Sequence, residues 1–313
     1  METTINSYSL ISVVIPVYNG EKTLLNTLSG VLKQTYTRFE IIVVDDGSNK
    51  TVGAFLQQHI NDDRIKVYRT KRSNANVARN YGIEKSEGEY IAMLDADDYW
   101  LENHLSDCLK LLKESKAEGL YGSIFKCKGH FNDMNNAQIQ YVRELKESES
   151  IVDYLLATGC GAQTSTLFTT AQSMKDIRWD PTLIDHQDYD FVTRFYKKYK
   201  MVAKKDPTVV YSLASGRIPH YETSIKYVEQ NRQDINPLIY TEYNKKNYIY
   251  ALKSQAPEKI ITYFRKEATK YKEYLSYRQY ILLRKPRTPY QFFWEKISFL
   301  AYILLYSLQV NKK

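Results

Sequence analysis

The sequence predicts an α/β protein: a mostly parallel central sheet flanked by helices, followed by a helical C-terminal extension. Three observations lead there. Over the first hundred residues, short β-branched apolar runs alternate with segments of helical periodicity. Strands and helices that alternate in short units build a parallel sheet with helices on both faces. Polar clusters, Tyr18-Asn19, Asp45-Asp46 and Asp95 to Asp98, close successive apolar runs, and in such sheets ligands bind at the carboxyl ends of the strands. From about residue 216 onward the chain turns Tyr- and Lys-rich and reads as helix.

The elements follow in order. "SLISVVIPVYN" is a β-branched run closed by Pro16 and Asn19, a first strand. "EKTLLNTLSGVLKQTY" places Leu24, Leu25, Leu28, Val31 and Leu32 at helical spacing. "FEIIVVDDGS" is a second buried strand stopped by a turn in which Gly47 suits a tight bend. "TVGAFLQQHI" reads as helix, "RIKVYRT" as a third short strand, "NANVARNYGIEKS" as a loop entering a helix, and "EYIAMLDADD" as a fourth strand. Past residue 101, "LENHLSDCLKLLKES" is an amphipathic helix, and "EGLYGSIFKCKG" and "TSTLFTT" are strands of a more mixed sheet. "DHQDYDFVTRFYKKY" is a helix with its carboxylates near the start.

Composition narrows the function. The chain has 313 residues, 43% of them hydrophobic, and a net charge of +8, which suits anionic partners or simply a basic solvated surface. Cys108, Cys127 and Cys160 lie far apart with no CxxC pair, so neither a disulfide framework nor a structural zinc site is indicated. The N-terminus lacks a basic flank and an apolar core, and no apolar run reaches the roughly 18 residues of a spanning helix. The expected location is the cytoplasm.

The acidic clusters carry the chemistry. Asp95, Asp97 and Asp98 follow a buried strand, repel one another and are costly to desolvate. Carboxylates one residue apart can hold a divalent cation, and Mg²⁺ is commonly bound by one or two carboxylates plus substrate phosphates. An isolated "DADD" is also a polar turn in which Asp98 caps the next helix. The clusters at the other strand ends favour the site. "VVDDGS" can offer a carboxylate to a base or sugar, and Arg79 in "NANVARN" can pair with phosphate oxygens.

"SVVIPVYNGEKTLLNTLSGVLKQTYTRFEIIVVDDGS" followed by "ARNYGIEKSEGEYIAMLDADD" resembles the N-terminal half of family 2 glycosyltransferases, which have the Rossmann-like GT-A fold and use nucleotide-diphosphate sugars. The likeness runs over roughly residues 10 to 105 and more weakly through "WDPTLIDHQDYDFVTRF". It implies residues 1–105 as the nucleotide-sugar half of a GT-A domain, 106–215 as the acceptor half, and 216–313 as a basic helical region. Pro16, Val17, Tyr18 and Asn19 match the motif lining the base pocket, and Asp45, with Asp46 beside it, matches the acid that bonds the base, usually uracil. Asn76 and Arg79 match the segment that approaches the nucleotide. Asp95 and Asp97, with Ala96 between them, match the DxD motif: Asp95 near ribose and metal, Asp97 on the Mn²⁺ or Mg²⁺ that bridges the diphosphate. His220, in "GRIPHYETS", sits where some members place a residue near the metal or phosphates. The family's general base lies in an acidic pair opening a helix. Here the matching run is "QDYDFVTR", which makes Asp188 the base candidate and Asp185 its alternative, with Gln187 in place of the common Glu. Acids at a helix start are also favoured by the helix dipole alone.

The resemblance therefore implies an inverting, metal-dependent transfer of one sugar, with a UDP-sugar favoured as donor. Processive members carry spanning helices and a Gln-x-x-Arg-Trp motif, and Arg178-Trp179 lacks the Gln. The tail "RKPRTPYQFFWEKISFLAYILLYSLQVNKK" joins basic residues to an apolar stretch, which suits peripheral contact with the inner face of an anionic membrane or packing within the protein. On the membrane reading the acceptor is a lipid-linked saccharide of surface polysaccharide synthesis. The alternatives are a nucleotidyltransferase, which would show a Gly-rich loop after strand one, and a non-catalytic nucleotide- or nucleic-acid-binding protein, which leaves the strand-end acids unexplained. Nucleic acid is not an expected partner.

Overall fold

Two strands, β1 (Ile11–Val17) and β2 (Phe39–Asp45), are buried at every position, which is the pattern of a parallel sheet covered on both faces. The computed structural model describes residues 9–128, 137–213 and 220–276, with 279, 280 and 283. The chain divides into two compact units, one ending at Arg232 and one beginning at Gln233.

In the first unit the elements run α1 (Glu21–Leu32), α2 (Val52–His59), β3 (Ile65–Arg69), α3 (Ala75–Lys85), β4 (Tyr90–Met93) and β5 (Tyr99–Trp100). Then come α4 (His104–Ser115), β6 (Gly119–Lys128), β7 (Gln138–Gln140), α5 (Ile151–Thr158), β8 (Phe168–Thr170), α6 (Ala171–Ile177), α7 (Gln187–Tyr196), β9 (Met201–Leu213) and α8 (Tyr221–Gln230). The strands form one sheet in the order β3-β2-β1-β4-β8-β6-β9-β5, with β7 paired to β6. β3, β2, β1 and β4 are mutually parallel, and β8 enters antiparallel between β4 and β6.

Handedness explains the layers. The chain steps from β1 to β2 to β3 in one direction and then jumps back across both to β4. Right-handed crossovers place the connecting helices of opposite steps on opposite faces. Ile11, Val13, Ile15, Phe39, Ile41 and Val43 accordingly face a core shared with Leu24 and Leu28 of α1, Leu56 of α2 and Leu105 and Leu109 of α4. The other face takes α3, which seats so close that a Cβ on Gly82 would lie 2.5 Å from Val14 Cγ1.

Several elements depart from the sequence expectation. β4 stops at Met93, so the acid cluster lies beyond the strand. "TSTLFTT" divides into a 3₁₀ turn at Thr164–Thr166 and the short β8. α5, α6, β5, β7 and β9 are additional to the elements the sequence pattern predicts. β9 escapes a pattern search because Lys204 to Pro207 interrupt its apolar run. The pairing absorbs them as an irregularity: Gly122 faces Lys204, and the next paired residue, Ile124, faces Val209.

The second unit is helical over its described residues, with α9 (Pro237–Lys253) and α10 (Glu258–Ala268). Asn236 caps α9 by accepting the Leu238 amide proton, with Pro237 at the first helical position. The buried Tyr240 hydroxyl donates to Glu267 Oε2 at 2.7 Å, tying the two helices. The tail after residue 283 lies outside the described residues. Among the described residues no helix is long and apolar enough to cross a membrane.

Candidate active site

The reversal in strand order falls between β1 and β4, and a parallel sheet opens a crevice at the carboxyl ends of its strands at such a point. The polar clusters of the sequence therefore meet there: Pro16 to Asn19 after β1, Asp45 and Asp46 after β2, and Asp95 to Asp98 after β4.

Pro16 and Val17 end β1 opposite Val44 and Asp45, and the Val17 carbonyl accepts the Asp46 amide at 2.8 Å. Asn19 turns the chain in the left-handed region (φ 49°), gives its amide to Ser48 Oγ and accepts the Asn49 amide on its side chain. That conformation is one Asn tolerates better than most residues. Tyr18 projects into solvent at 45% exposure, and the Arg72 guanidinium lies over its ring, 3.7 Å from the centroid.

Asp45 and Asp46 are 1% and 2% exposed and both are compensated within the chain. Asp45 accepts the Ser48 amide at 2.8 Å, the Val52 amide at 3.2 Å and Arg69 Nη1 at 2.7 Å. Asp46 accepts the amide and hydroxyl of Ser73, each at 2.9 Å, and pairs with Arg72. Gly47 permits this crossing of chains: it sits at φ +72°, and a Cβ there would lie 2.6 Å from the Arg72 amide nitrogen. Beside the Asp45–Arg69 pair, between α2 and β3, lies a cavity of about 460 Å³ lined also by Thr51, Leu56, Gln57 and Val67.

The acids after β4 are held differently. Asp95 receives Arg79 Nη2 on Oδ1 at 2.7 Å, and its amide donates to Ser165 Oγ at 3.0 Å. The Ala96 carbonyl accepts the Thr27 hydroxyl at 2.9 Å, which pins the turn to α1. Asp97 reaches solvent, yet the protein atoms crowded around it and the negative Asp95 push its carboxyl up to about 6, against the opposing pull of Arg79. Asp98 is 1% exposed; its Oδ2 accepts Ser165 Oγ at 2.5 Å and its Oδ1 accepts the Ser212 amide at 3.1 Å. Burial, then Asp95 and Asp97, raise its carboxyl well above the usual carboxylate range. Asp98 therefore joins the turn to β9 and does not cap α4, which begins after Asn103.

Arg79 is itself 2% exposed, stacked over Trp179 at 4.6 Å and bonded through Nη1 to Asn76 Oδ1 at 2.8 Å. Asn76 is fully buried and donates to the carbonyls of Asp180 and Leu183, both at 2.8 Å. This draws in the irregular segment 179–186 that leads to α7. Asp185 is buried there, its amide donating to Thr223 Oγ1 at 3.1 Å and its Oδ2 accepting the His220 amide at 2.6 Å. Asp188 is half-buried in the first turn of α7, with Oδ1 on the Tyr189 amide at 3.0 Å. His220 opens α8 with its side chain exposed. His186, in the left-handed region, stacks on Tyr227 of α8 at 5.5 Å.

Sequence reasoning missed Arg69, Arg72, Ser165 and Trp179. The two arginines were findable, since "VYRTKR" sits at the carboxyl end of β3 as the acids sit at the ends of β2 and β4. Ser165 and Trp179 carry no local signal. Among the described residues no three His, Cys, Asp or Glu side chains converge as a complete metal-holding group.

Comparison with known proteins agrees with this architecture. Residues 12–171 match glycosyl transferase family 2. The chain is similar to the amylovoran biosynthesis glycosyltransferase AmsB of Erwinia amylovora, 30% identical over 227 residues that cover 69% of this chain and 74% of AmsB. It is also similar to the Escherichia coli UDP-Glc:α-D-GlcNAc-diphosphoundecaprenol β-1,3-glucosyltransferase WfgD, 35% identical over 115 residues covering 36% of this chain and 45% of WfgD. Among solved structures, Staphylococcus aureus TarS superposes with a TM-score of 0.61 at 18% identity over 87% of this chain and 52% of TarS. Its 1–349 fragment in complex with UDP-GlcNAc superposes with a TM-score of 0.54 at 20% identity, covering 87% of this chain and 79% of the fragment. The fold is thus GT-A-like, and the chain belongs to glycosyl transferase family 2: it is a glycosyltransferase.

Proposed function

We propose that this enzyme moves one sugar from a UDP-sugar to a hydroxyl of a saccharide acceptor, with inversion at the anomeric carbon, in the assembly of a surface polysaccharide. The observation that carries the reading is the meeting of three acid- or amide-bearing strand ends at the β1/β4 switch point, on a chain of this family. The donor class is supported by TarS, whose fragment was solved with UDP and with UDP-GlcNAc. A lipid-linked acceptor is supported by the name of WfgD, which acts on a diphosphoundecaprenol-linked sugar, and a polysaccharide product by that of AmsB.

In this reading Tyr18 and Asn19 present the β1 end to the nucleotide, and the Asp45 and Asp46 frame holds that loop rigid. A Mn²⁺ or Mg²⁺ ion would be held by Asp97 and Asp95. The donor set fits: hard carboxylate oxygens, too few to complete a shell alone, on a turn where crowding by protein atoms and the negative Asp95 raise the Asp97 carboxyl. When bound, the ion supplies charge stabilisation to the leaving diphosphate. Asp188 takes the acceptor hydroxyl proton as the oxygen–anomeric carbon bond forms. The bond from that carbon to the diphosphate oxygen breaks, and its electron pair leaves on the diphosphate. Asp185 is the alternative base; Asp185 and Asp188 each accept one backbone amide, from His220 and Tyr189 respectively, but Asp185 is buried whereas Asp188 is half-buried.

A screen of UDP-, GDP- and dTDP-sugars with Mn²⁺, read by thermal shift and by nucleotide release, tests the proposal. A response confined to UDP-sugars and abolished by EDTA is expected. Silence toward every nucleotide would overturn it.

A further inference from the structure

Segment 179–186 has almost no regular structure of its own, yet five of its peptide groups find side-chain partners on a neighbouring helix. Three asparagines of α3 and its cap satisfy them. Asn80 makes a two-point bond with Trp179, donating to its carbonyl at 2.8 Å and accepting its amide at 2.9 Å. Asn76, one helical turn away, donates to the Asp180 and Leu183 carbonyls. Asn74, while capping α3, donates to the Pro181 carbonyl at 2.9 Å.

The same helix is anchored to both acid pairs. Ser73 at its start bonds Asp46, and Arg79 in its second turn bonds Asp95. Arg79 then meets Asn76 at 2.8 Å, so hydrogen bonds run unbroken from Asp95 through Arg79 and Asn76 to the Leu183 carbonyl, two residues before Asp185. Arg79 also stacks on Trp179, inside the segment it positions.

We propose that Asn76 and Asn80, with Arg79, are positioning residues that set the place of the acid-bearing segment 179–188 relative to Asp95. The proposal rests on the reading of Asp188, or Asp185, as the base. Its physical basis is that loop placement here comes from directed bonds of buried amides, which fix distance and orientation where apolar contact alone would let the segment slide. Displacement of a catalytic group by about 1 Å can cost on the order of 100-fold in rate.

Asn76→Asp and Asn80→Asp separate this role from mere shape. Each keeps the acceptor oxygen, toward Arg79 Nη1 or the Trp179 amide, and removes the donors to the segment's carbonyls. Three measurements are made on the full chain: affinity for UDP with Mn²⁺, turnover of UDP-GlcNAc, and amide hydrogen exchange. The expected result is kcat down about tenfold or more in both variants and faster exchange in 179–188 with β1 and β4 unchanged, and in Asn80→Asp an unchanged donor KM and UDP affinity within about twofold of native. Turnover within twofold of native despite a loosened segment would overturn the proposal, as would UDP affinity of Asn80→Asp falling in step with kcat. If Asn76→Asp does not fold, Asn80→Asp carries the test, since its pair lies nearer solvent. Asp188→Asn and Asp185→Asn measured alongside report on the base reading separately. The exchange measurement needs no base, and unchanged exchange in 179–188 would also overturn the proposal.

Discussion

Asp45 and Asp46 close β2, Asp95 and Asp97 follow β4, and only β1 stands between the two pairs. The first pair is buried, yet each acid has its own arginine and two further donors. The second pair shares Arg79, which bonds Asp95, while Asp97 rises to about 6 and the adjoining Asp98 is forced toward the neutral form. Crowding by protein atoms is the largest cause of the Asp97 rise and the negative Asp95 the next, with the pull of Arg79 opposing them. Each β2 acid has an arginine of its own, whereas the β4 acids share one, an arrangement that suits the cation proposed above.

The largest expected effect lies outside both pairs and separates chemistry from binding. Asp188→Asn should reduce sugar transfer by roughly 10²- to 10⁴-fold, the usual worth of a general base, while UDP affinity with Mn²⁺ holds. Nucleotide-release kinetics and calorimetry check it, and native-like turnover would return the role to Asp185. Next comes the β2 pair. Asp45→Ala strips three bonds from a buried site and leaves Arg69 without its carboxylate, at a cost of about 3 kcal/mol in urea unfolding. A variant as stable as native would erase the contrast between the pairs.

Asp97→Asn should do the reverse. The apo protein should melt no lower than native at pH 7.5, while the Mn²⁺-dependent gain in melting temperature with UDP disappears. The pH dependence follows with its sign. The folded Asp97 carboxyl titrates near 6, above its usual value near 3.8, so the folded state holds the extra proton between those limits. The stability linked to it is full below about 4 and is lost as pH rises through 6. Cation binding needs the ionised form, so UDP affinity with Mn²⁺ should tighten about tenfold from pH 5 to pH 7, and that slope should vanish in Asp97→Asn. A flat profile in the native protein would remove Asp97 from the cation site. The smallest effect belongs to Asp98. Since the native carboxyl is held toward its neutral form, Asp98→Asn should cost under about 1 kcal/mol, with the new amide able to face Ser165 and its oxygen the Ser212 amide.

Much of this was legible beforehand, and particular residues show why. β1, β2, α1 and α3 could be read because each carries its period in consecutive residues, and the family resemblance spans the same stretch. β9 could not, because the charged Lys204–Pro207 interruption is tolerated only through an irregular pairing with β6. Asp98 left two readings open, site or helix cap. The structure gives it a third role, between Ser165 and Ser212, which lie 67 and 114 residues along the chain.

By itself the sequence determined the alternation of strands and helices, the acids at the strand ends, and the family, because these are properties of neighbouring residues and of their order. The tertiary structure alone decided which acids are neutralised and which are not, and that α3 holds segment 179–186. Charge compensation and hydrogen-bond satisfaction depend on distances through space. Asn76 and Leu183 are 2.8 Å apart across a fold that separates them by 107 residues of chain.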